Sequence, residues 1–153
     1  MSKNEKPMTR SENMARIKSK NTSPEIYLRE ILWNKGFRYL KNYKKLPGTP
    51  DIFIIRYNTV IFVNGCFWHM HEGCKNSNIP SSNREFWIKK LQGNVERDRK
   101  NYQKLHEKGI KVLVVWECVI RKMKYDMVYE NIILEKIINF IVQNNDSMFL
   151  EVE

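Results

Sequence analysis

The first helical period in the chain falls in "NTSPEIYLREILWNKGF", where Tyr27, Leu28, Ile31 and Leu32 recur on one face. Thr22 is the predicted N-cap with Pro24 in the first turn, Thr22-x-x-Glu25 has the spacing of a capping box, and Gly36 closes the helix. The pattern then changes to short, continuous apolar runs. "KKLPGTPDIFII" puts a Pro-Gly turn before a strand beginning near Asp51, and "YNTVIFVNGC" supplies a second strand after a break at Tyr57 and Asn58, so the pair predicts a hairpin. Residues 75–83, "KNSNIPSSN", have the composition of a loop. Helical spacing returns in "REFWIKKLQGNVERDRKNYQKLHEKG", with Ile88, Leu91, Val95, Tyr102 and Leu105 on one stripe and Gly109 at the end. "KVLVVWECVI" is the most hydrophobic run and predicts a central strand covered on both faces. A last helix, over about 125 to 143, carries Ile133, Leu134, Ile137, Ile138 and Ile141 as its core stripe. Helix, strand, strand, helix, strand, helix is the order of an α/β sandwich, a mixed β-sheet flanked by helices, and no segment repeats.

A chain of 153 residues can bury a core without disulfide staples, so residues 21–153 are expected to form a single domain. Residues 1–20 differ in character. Lys3, Lys6, Arg10, Arg16, Lys18 and Lys20 face only Glu5 and Glu12, which predicts a basic arm that orders on a partner. Across the chain, 27 Lys and Arg against 17 Asp and Glu leave a net charge of +10, and a polyanion is the partner such a surface attracts. No run approaches the roughly 18 apolar residues that cross a bilayer, and "MSKNEKPMTR" has no apolar segment of a signal peptide, so a cytoplasmic protein with no membrane partner is expected.

Cysteine usage sharpens that picture. Cys66, His71 and Cys74 fall together in "GCFWHMHEGC", and Cys118 is expected at the far end of the strongest strand. Three thiols and an imidazole are a standard structural zinc set, and in a reducing compartment a metal suits them better than disulfides. His69 in place of His71, or Cys118 as a small core residue, are the other readings of the same residues. A zinc with four protein ligands has no open position for water, so chemistry has to come from elsewhere.

"LPGTPD" delivers Asp51 to a strand start beside that turn, where a hard cation can meet a phosphate. Metal-dependent nucleases often follow such a Pro-Asp with Glu-x-Lys on the next strand, but "VIFVNGC" holds neither acid nor lysine. His69, left over once zinc takes His71, is the remaining candidate for a base, since imidazole exchanges protons near neutral pH. A turn aspartate after proline and a surface histidine are the plain alternatives. His106 lies on the polar side of the long helix and matches no site.

Taken together, "RSENMARI", "LPGTPDIFI", "VIFVNGCFWHMH", "EFWIKKLQGNVERDR" and "VLVVWEC" closely resemble the signature blocks of the very-short-patch repair (Vsr) endonucleases, in order over about residues 8 to 121. The resemblance implies a restriction-endonuclease-like core with a structural zinc site. It implies magnesium-dependent nicking of double-stranded DNA 5′ to the mismatched thymine of a T·G pair, the lesion left by deaminated 5-methylcytosine. Asp51 and the backbone carbonyl of Val63 would hold Mg2+, Glu25 would support the site through its water shell, and His69 would be the general base. Cys66, His71, Cys74 and Cys118 would hold Zn2+. Phe67, Trp68 and Trp87 would form a wedge entering from the major groove, with Met14 and Ile17 of the arm entering from the minor groove. A monomer is expected, linked in function to a cytosine-5 methyltransferase and to mismatch-repair proteins. Asn64 departs from members with a second active-site histidine there, and the spacing between His71 and Cys74 also varies among members. Two rival functions use the same residues: a restriction-like nuclease cutting matched sites, and a zinc-braced DNA-binding module that cuts nothing.

Overall fold

The computed structural model describes residues 7–16, 20–144 and 146–153. Its elements are α1 (Arg10–Ala15), α2 (Ser23–Asn34), β1 (Leu40–Lys41), β2 (Ile52–Ile54), β3 (Thr59–Asn64), α3 (Arg84–Glu107), β4 (Lys111–Trp116), α4 (Glu117–Tyr125), α5 (Met127–Val142) and β5 (Phe149–Val152). The strands make one sheet in the order β1-β2-β3-β4-β5. β1 with β2 and β2 with β3 are antiparallel, whereas β3 with β4 and β4 with β5 are parallel. The expected hairpin is thus β2 and β3, with Ile52 opposite Ile61, and the mixed sheet flanked by helices is the architecture found.

Every residue of β3 and β4 is buried, which is why both sequences read as unbroken apolar runs rather than alternating ones. Leu28 and Leu32 of α2 and Ile133, Ile137 and Ile141 of α5 close the core around them. Asn58 turns the hairpin with a φ of 48°, in the left-handed region that asparagine tolerates. The turn before β2 depends on Gly48, whose φ is +80° and whose added Cβ would meet Phe62 and Asn101 at 3.1 Å.

Three local expectations fail for identifiable reasons. The strand predicted over "KVLVVWECVI" ends at Trp116, and Cys118 lies in the first turn of α4 instead of at a strand end. Val119, Ile120 and Met123 are buried at helical spacing, so the apolar run continued while its period changed, and Glu117 pairs with Arg121 one turn on. Thr22 is the N-cap of α2 but makes no capping hydrogen bond to the backbone. Glu25 instead accepts from the Asn21 N–H at 2.9 Å and from the Thr22 hydroxyl at 3.2 Å, so the carboxylate braces the turn outside the helix. On α3 the buried residues are Trp87, Leu91 and Leu105, while Ile88, Val95 and Tyr102 are only partly covered. α1, β1 and β5 have no counterpart in the sequence reading. Of these, α1 is a short helix with a true capping box, Thr9 and Glu12 bonding each other's backbone.

Candidate active site and metal centre

The turn after β3 is wound tightly enough to gather its soft ligands. His71 N–H donates to the Cys66 carbonyl at 2.9 Å and Cys74 N–H to the His71 carbonyl at 3.2 Å, with Met70 and Gly73 at positive φ. α4 brings Cys118 against this turn, 3.5 Å from His71 Nδ1. The ligand atoms of Cys66, His71, Cys74 and Cys118 lie within 4.8 Å of one another. Thiolates about 2.3 Å from a tetrahedral zinc sit roughly 3.8 Å apart, so the cluster needs only small side-chain shifts to close on an ion. Burial first, and then the neighbouring sulfurs, push the Cys66 thiol up, and burial does the same for Cys118. A bound cation would reverse that trend by favouring thiolate, so the donor set fits a soft divalent metal. His71 stacks on Trp116 at 4.1 Å and 6°, and the Trp116 indole N–H donates to Glu151 of β5 at 2.7 Å. The C-terminal strand, silent in the sequence reading, thereby fixes the ring of a candidate ligand.

Asp51 stands just ahead of β2 with its carboxylate turned toward β3, where Oδ2 accepts the Val63 N–H at 2.7 Å. Desolvation, and next the Glu25 carboxylate, push its pKa up from 3.8 to about 7, against weaker lowering by the Val63 N–H, Arg29 and His69. Glu25 is itself 3% exposed. Carboxylates whose charges repel in a desolvated pocket suit a hard divalent cation, and Asp51 and Glu25 are such a pair.

His69 is close enough to Asp51 for its charge to be felt there. Its Nδ1 lies 2.5 Å from Asp98 Oδ2 on α3, both groups being partly covered. Asp98 was missed in the sequence, because it stands in "ERDRK" as one acid among many charges on a solvated helix. Asn94, one turn earlier, donates its amide to the Trp68 carbonyl at 3.1 Å and ties α3 to the same turn. Val63, His69 and Asp98 open on a cleft of about 850 Å³ that Glu25 also lines. Asn64 is buried and donates to the Tyr102 hydroxyl at 3.1 Å; burial, and then Asp98, raise that phenol's pKa. His106 is exposed, as expected.

Phe67, Trp68 and Trp87 form one group of edge-to-face rings with centroids 5.2 to 5.7 Å apart. Phe67 is 5% and Trp87 2% exposed, whereas Trp68 is half-buried. α1 lies against them: Ser11 accepts the Trp87 indole N–H at 2.7 Å, Arg10 stands over Phe67, and Met14 packs on the cluster. Ile17 lies outside the described residues. Lys90 hangs over Trp68, and Arg84, Lys89, Arg97, Arg99 and Lys100 are exposed along α3. Among the described residues, no helix is long and apolar enough to cross a membrane.

The family profile described as DNA mismatch endonuclease Vsr matches residues 3–76. The type II nicking enzyme V.NmeAIP of Neisseria meningitidis is 48% identical over 112 residues, 73% of this chain and 79% of the relative. The DNA mismatch endonuclease Vsr of Escherichia coli is 42% identical over 113 residues, 74% of this chain and 72% of the relative. The nicking enzyme V.XorIIP of Xanthomonas oryzae is 41% identical over 112 residues, 73% of this chain and 82% of the relative. The chain belongs to the Vsr family of DNA mismatch endonucleases, and its mixed sheet is the restriction-endonuclease-like core of that family.

Proposed function

We propose that this nuclease nicks one strand of double-stranded DNA 5′ to the mismatched thymine of a T·G pair, by magnesium-dependent hydrolysis that leaves a 5′ phosphate. The observation that supports the proposal is the paired His69 and Asp98 on a cleft that Glu25 and Val63 also line, with Asp51 pinned to the Val63 N–H and within reach of the charges of Glu25 and His69. Asp51 and the Val63 carbonyl would hold the ion, with Glu25 acting through its water shell. When bound, magnesium supplies charge to polarise the scissile phosphate and to stabilise the departing 3′ oxygen. With Nδ1–H donated to Asp98, the second ring nitrogen of His69 is left free as an acceptor, and it takes the proton of the attacking water. Cys66, His71, Cys74 and Cys118 would hold zinc, whose part is to keep the His69 turn and α4 together.

Recognition is assigned to the rings and the arm. Phe67, Trp68 and Trp87 would form the major-groove wedge once α1 and Met14 lift from the buried Phe67 and Trp87, and Met14 and Ile17, from the basic arm of residues 1–20, would enter the minor groove. Separating stacked bases costs a few kcal/mol and least at a poorly paired step, so a wedge selects mismatches. Exposed cations of α3 contact phosphates in a salt-dependent way. The zinc-loaded protein acts as a monomer, downstream of a cytosine-5 methyltransferase whose product deaminates to the T·G pair.

The test is nicking of T·G, T·A and C·G duplexes of equal sequence, with magnesium and with chelator. Nicking of the T·G duplex alone, abolished by chelator and by Asp51→Ala while DNA binding persists, is the expected result. Equal cutting of all three duplexes would remove the mismatch reading, and a wild-type protein inactive in magnesium would leave only a DNA-binding module.

A further inference from the structure

Arg29 is a charged side chain in an unusual place: on α2, 5% exposed, with the Glu25 carboxylate 3.4 Å from Nη2 as its ion-pair partner. Guanidinium is expensive to bury unless its donors meet fixed acceptors, and here both terminal nitrogens do while the buried Nε has no partner. Here the fork is spread over several segments of chain. Nη1 donates to the Asn21 side-chain oxygen at 2.9 Å, and Nη2 to the Asn42 side-chain oxygen and to the Asp51 backbone carbonyl, both at 3.1 Å.

These acceptors have something in common. Asn21 and Asn42 carry φ of 52° and 46°, left-handed backbone held in place by tertiary contacts. Asn42 N–H donates to the same Asp51 carbonyl at 3.2 Å, and its amide donates to the Asn21 side chain at 3.2 Å. Asp51 is therefore gripped at both ends, its carbonyl by Arg29 and Asn42 and its carboxylate by the Val63 N–H. Glu25 is bound by the same guanidinium. Arg29 thus ties the Glu25 carboxylate to the main chain of Asp51, the two residues assigned to the cation site. Lysine would supply the charge without the planar fork that reaches all four partners.

We infer that Arg29 is a positioning residue for the hydrolytic centre: its guanidinium sets the separation of Asp51 and Glu25 and so the affinity of the cation site. The inference rests on the assignment of Asp51 and Glu25 to the magnesium shell. Loss of a group that orients a metal ligand weakens metal binding by about 10- to 100-fold.

The experiment uses the full zinc-loaded chain. Wild type, Arg29→Lys and Asn42→Gly are compared for the magnesium dependence of T·G nicking, for Mn2+ binding without DNA by electron paramagnetic resonance, and for thermal melting. Asn42→Gly removes one acceptor while suiting the left-handed backbone, so it reports if Arg29→Lys fails to fold. For Arg29→Lys, about a tenfold rise in half-saturating magnesium and an equal loss of Mn2+ affinity are expected, with DNA binding in chelator within about twofold of wild type and nicking restored at high magnesium. A smaller shift in the same direction is expected for Asn42→Gly. Folded variants with unchanged metal titrations would overturn the inference, as would a loss of nicking that raised magnesium does not restore. Asp51→Asn serves as the control: full nicking by that variant would instead overturn the site assignment beneath it.

Discussion

Replacing Asp51 by Asn should stabilise the protein when no divalent cation is present. The carboxylate is desolvated and faces Glu25, so its pKa rises from 3.8 to about 7, which corresponds to on the order of 4 kcal/mol against the ionised form. Between those values the native state holds a proton that the unfolded chain has released. Unfolding free energy therefore falls as pH rises through the window, and the loss is complete above about pH 7. The amide can still accept the Val63 N–H but cannot ionise, so the variant escapes the loss. Residual solvent at the site lowers the expected gap to about 2–4 kcal/mol near pH 8, shrinking toward zero near pH 4. Urea unfolding of both zinc-loaded proteins across this range, with magnesium removed by dialysis, measures the gap directly. Ionisable groups that do not face Asp51 cancel in the difference, whereas the repulsion between Asp51 and Glu25 is part of the gap being measured. Saturating magnesium should then stabilise wild type and not the variant, as expected when a ligand binds the native state alone. Curves that run parallel at all pH values would show that Asp51 is not a strained anion, and the cation assignment would lose its electrostatic basis.

Asp98→Asn keeps a hydrogen-bonding partner for His69 but offers N–H in place of an acceptor, so the imidazole is driven to the wrong tautomer; kcat for T·G nicking should fall by about 10²–10⁴ with KM within about twofold, as judged by single-turnover and steady-state assays. Metal analysis of wild type should find about one zinc per chain, while Cys118→Ser should lose it and melt at lower temperature. Lys111 is buried and its Nζ donates to the carbonyls of Phe140, Ile141 and Gln143, so Lys111→Met should cost about 1–3 kcal/mol in urea unfolding without changing the magnesium dependence of nicking.

The parts of the fold legible in the sequence were those in which one period persists. Leu28 and Leu32, the β2–β3 hairpin and the Ile133 to Ile141 stripe all lie where local spacing and burial agree. The strand-to-helix junction at Trp116 was hidden because Val119 and Ile120 are apolar and β-branched, types that suit a strand as readily as this buried helix face. β5 and β1 were hidden for a different reason. They are sheet edges with exposed positions, formed by pairing to β4 and β2 rather than by their own pattern. In the site, soft ligands clustered in sequence were easy to see, whereas Asp98 and Arg29 act through partners 29 and 22 positions away and carry no local mark.

The stretch from Gly65 to Cys74 shows how one turn serves separate tasks. Cys66, His71 and Cys74 gather with Cys118 as candidate metal ligands, Phe67 and Trp68 join Trp87, and His69 reaches Asp98. Side chains so close in the chain can diverge this far only if the backbone between them is held, and Met70 at positive φ marks where it is forced. Losing the clustered Cys and His side chains should therefore disturb His69 and the rings together, whereas a change at Asp51, anchored from β3 and α2, should leave the rings in place. Binding and hydrolysis should thus be separable by changes at Asp51 and inseparable by changes at the cysteines.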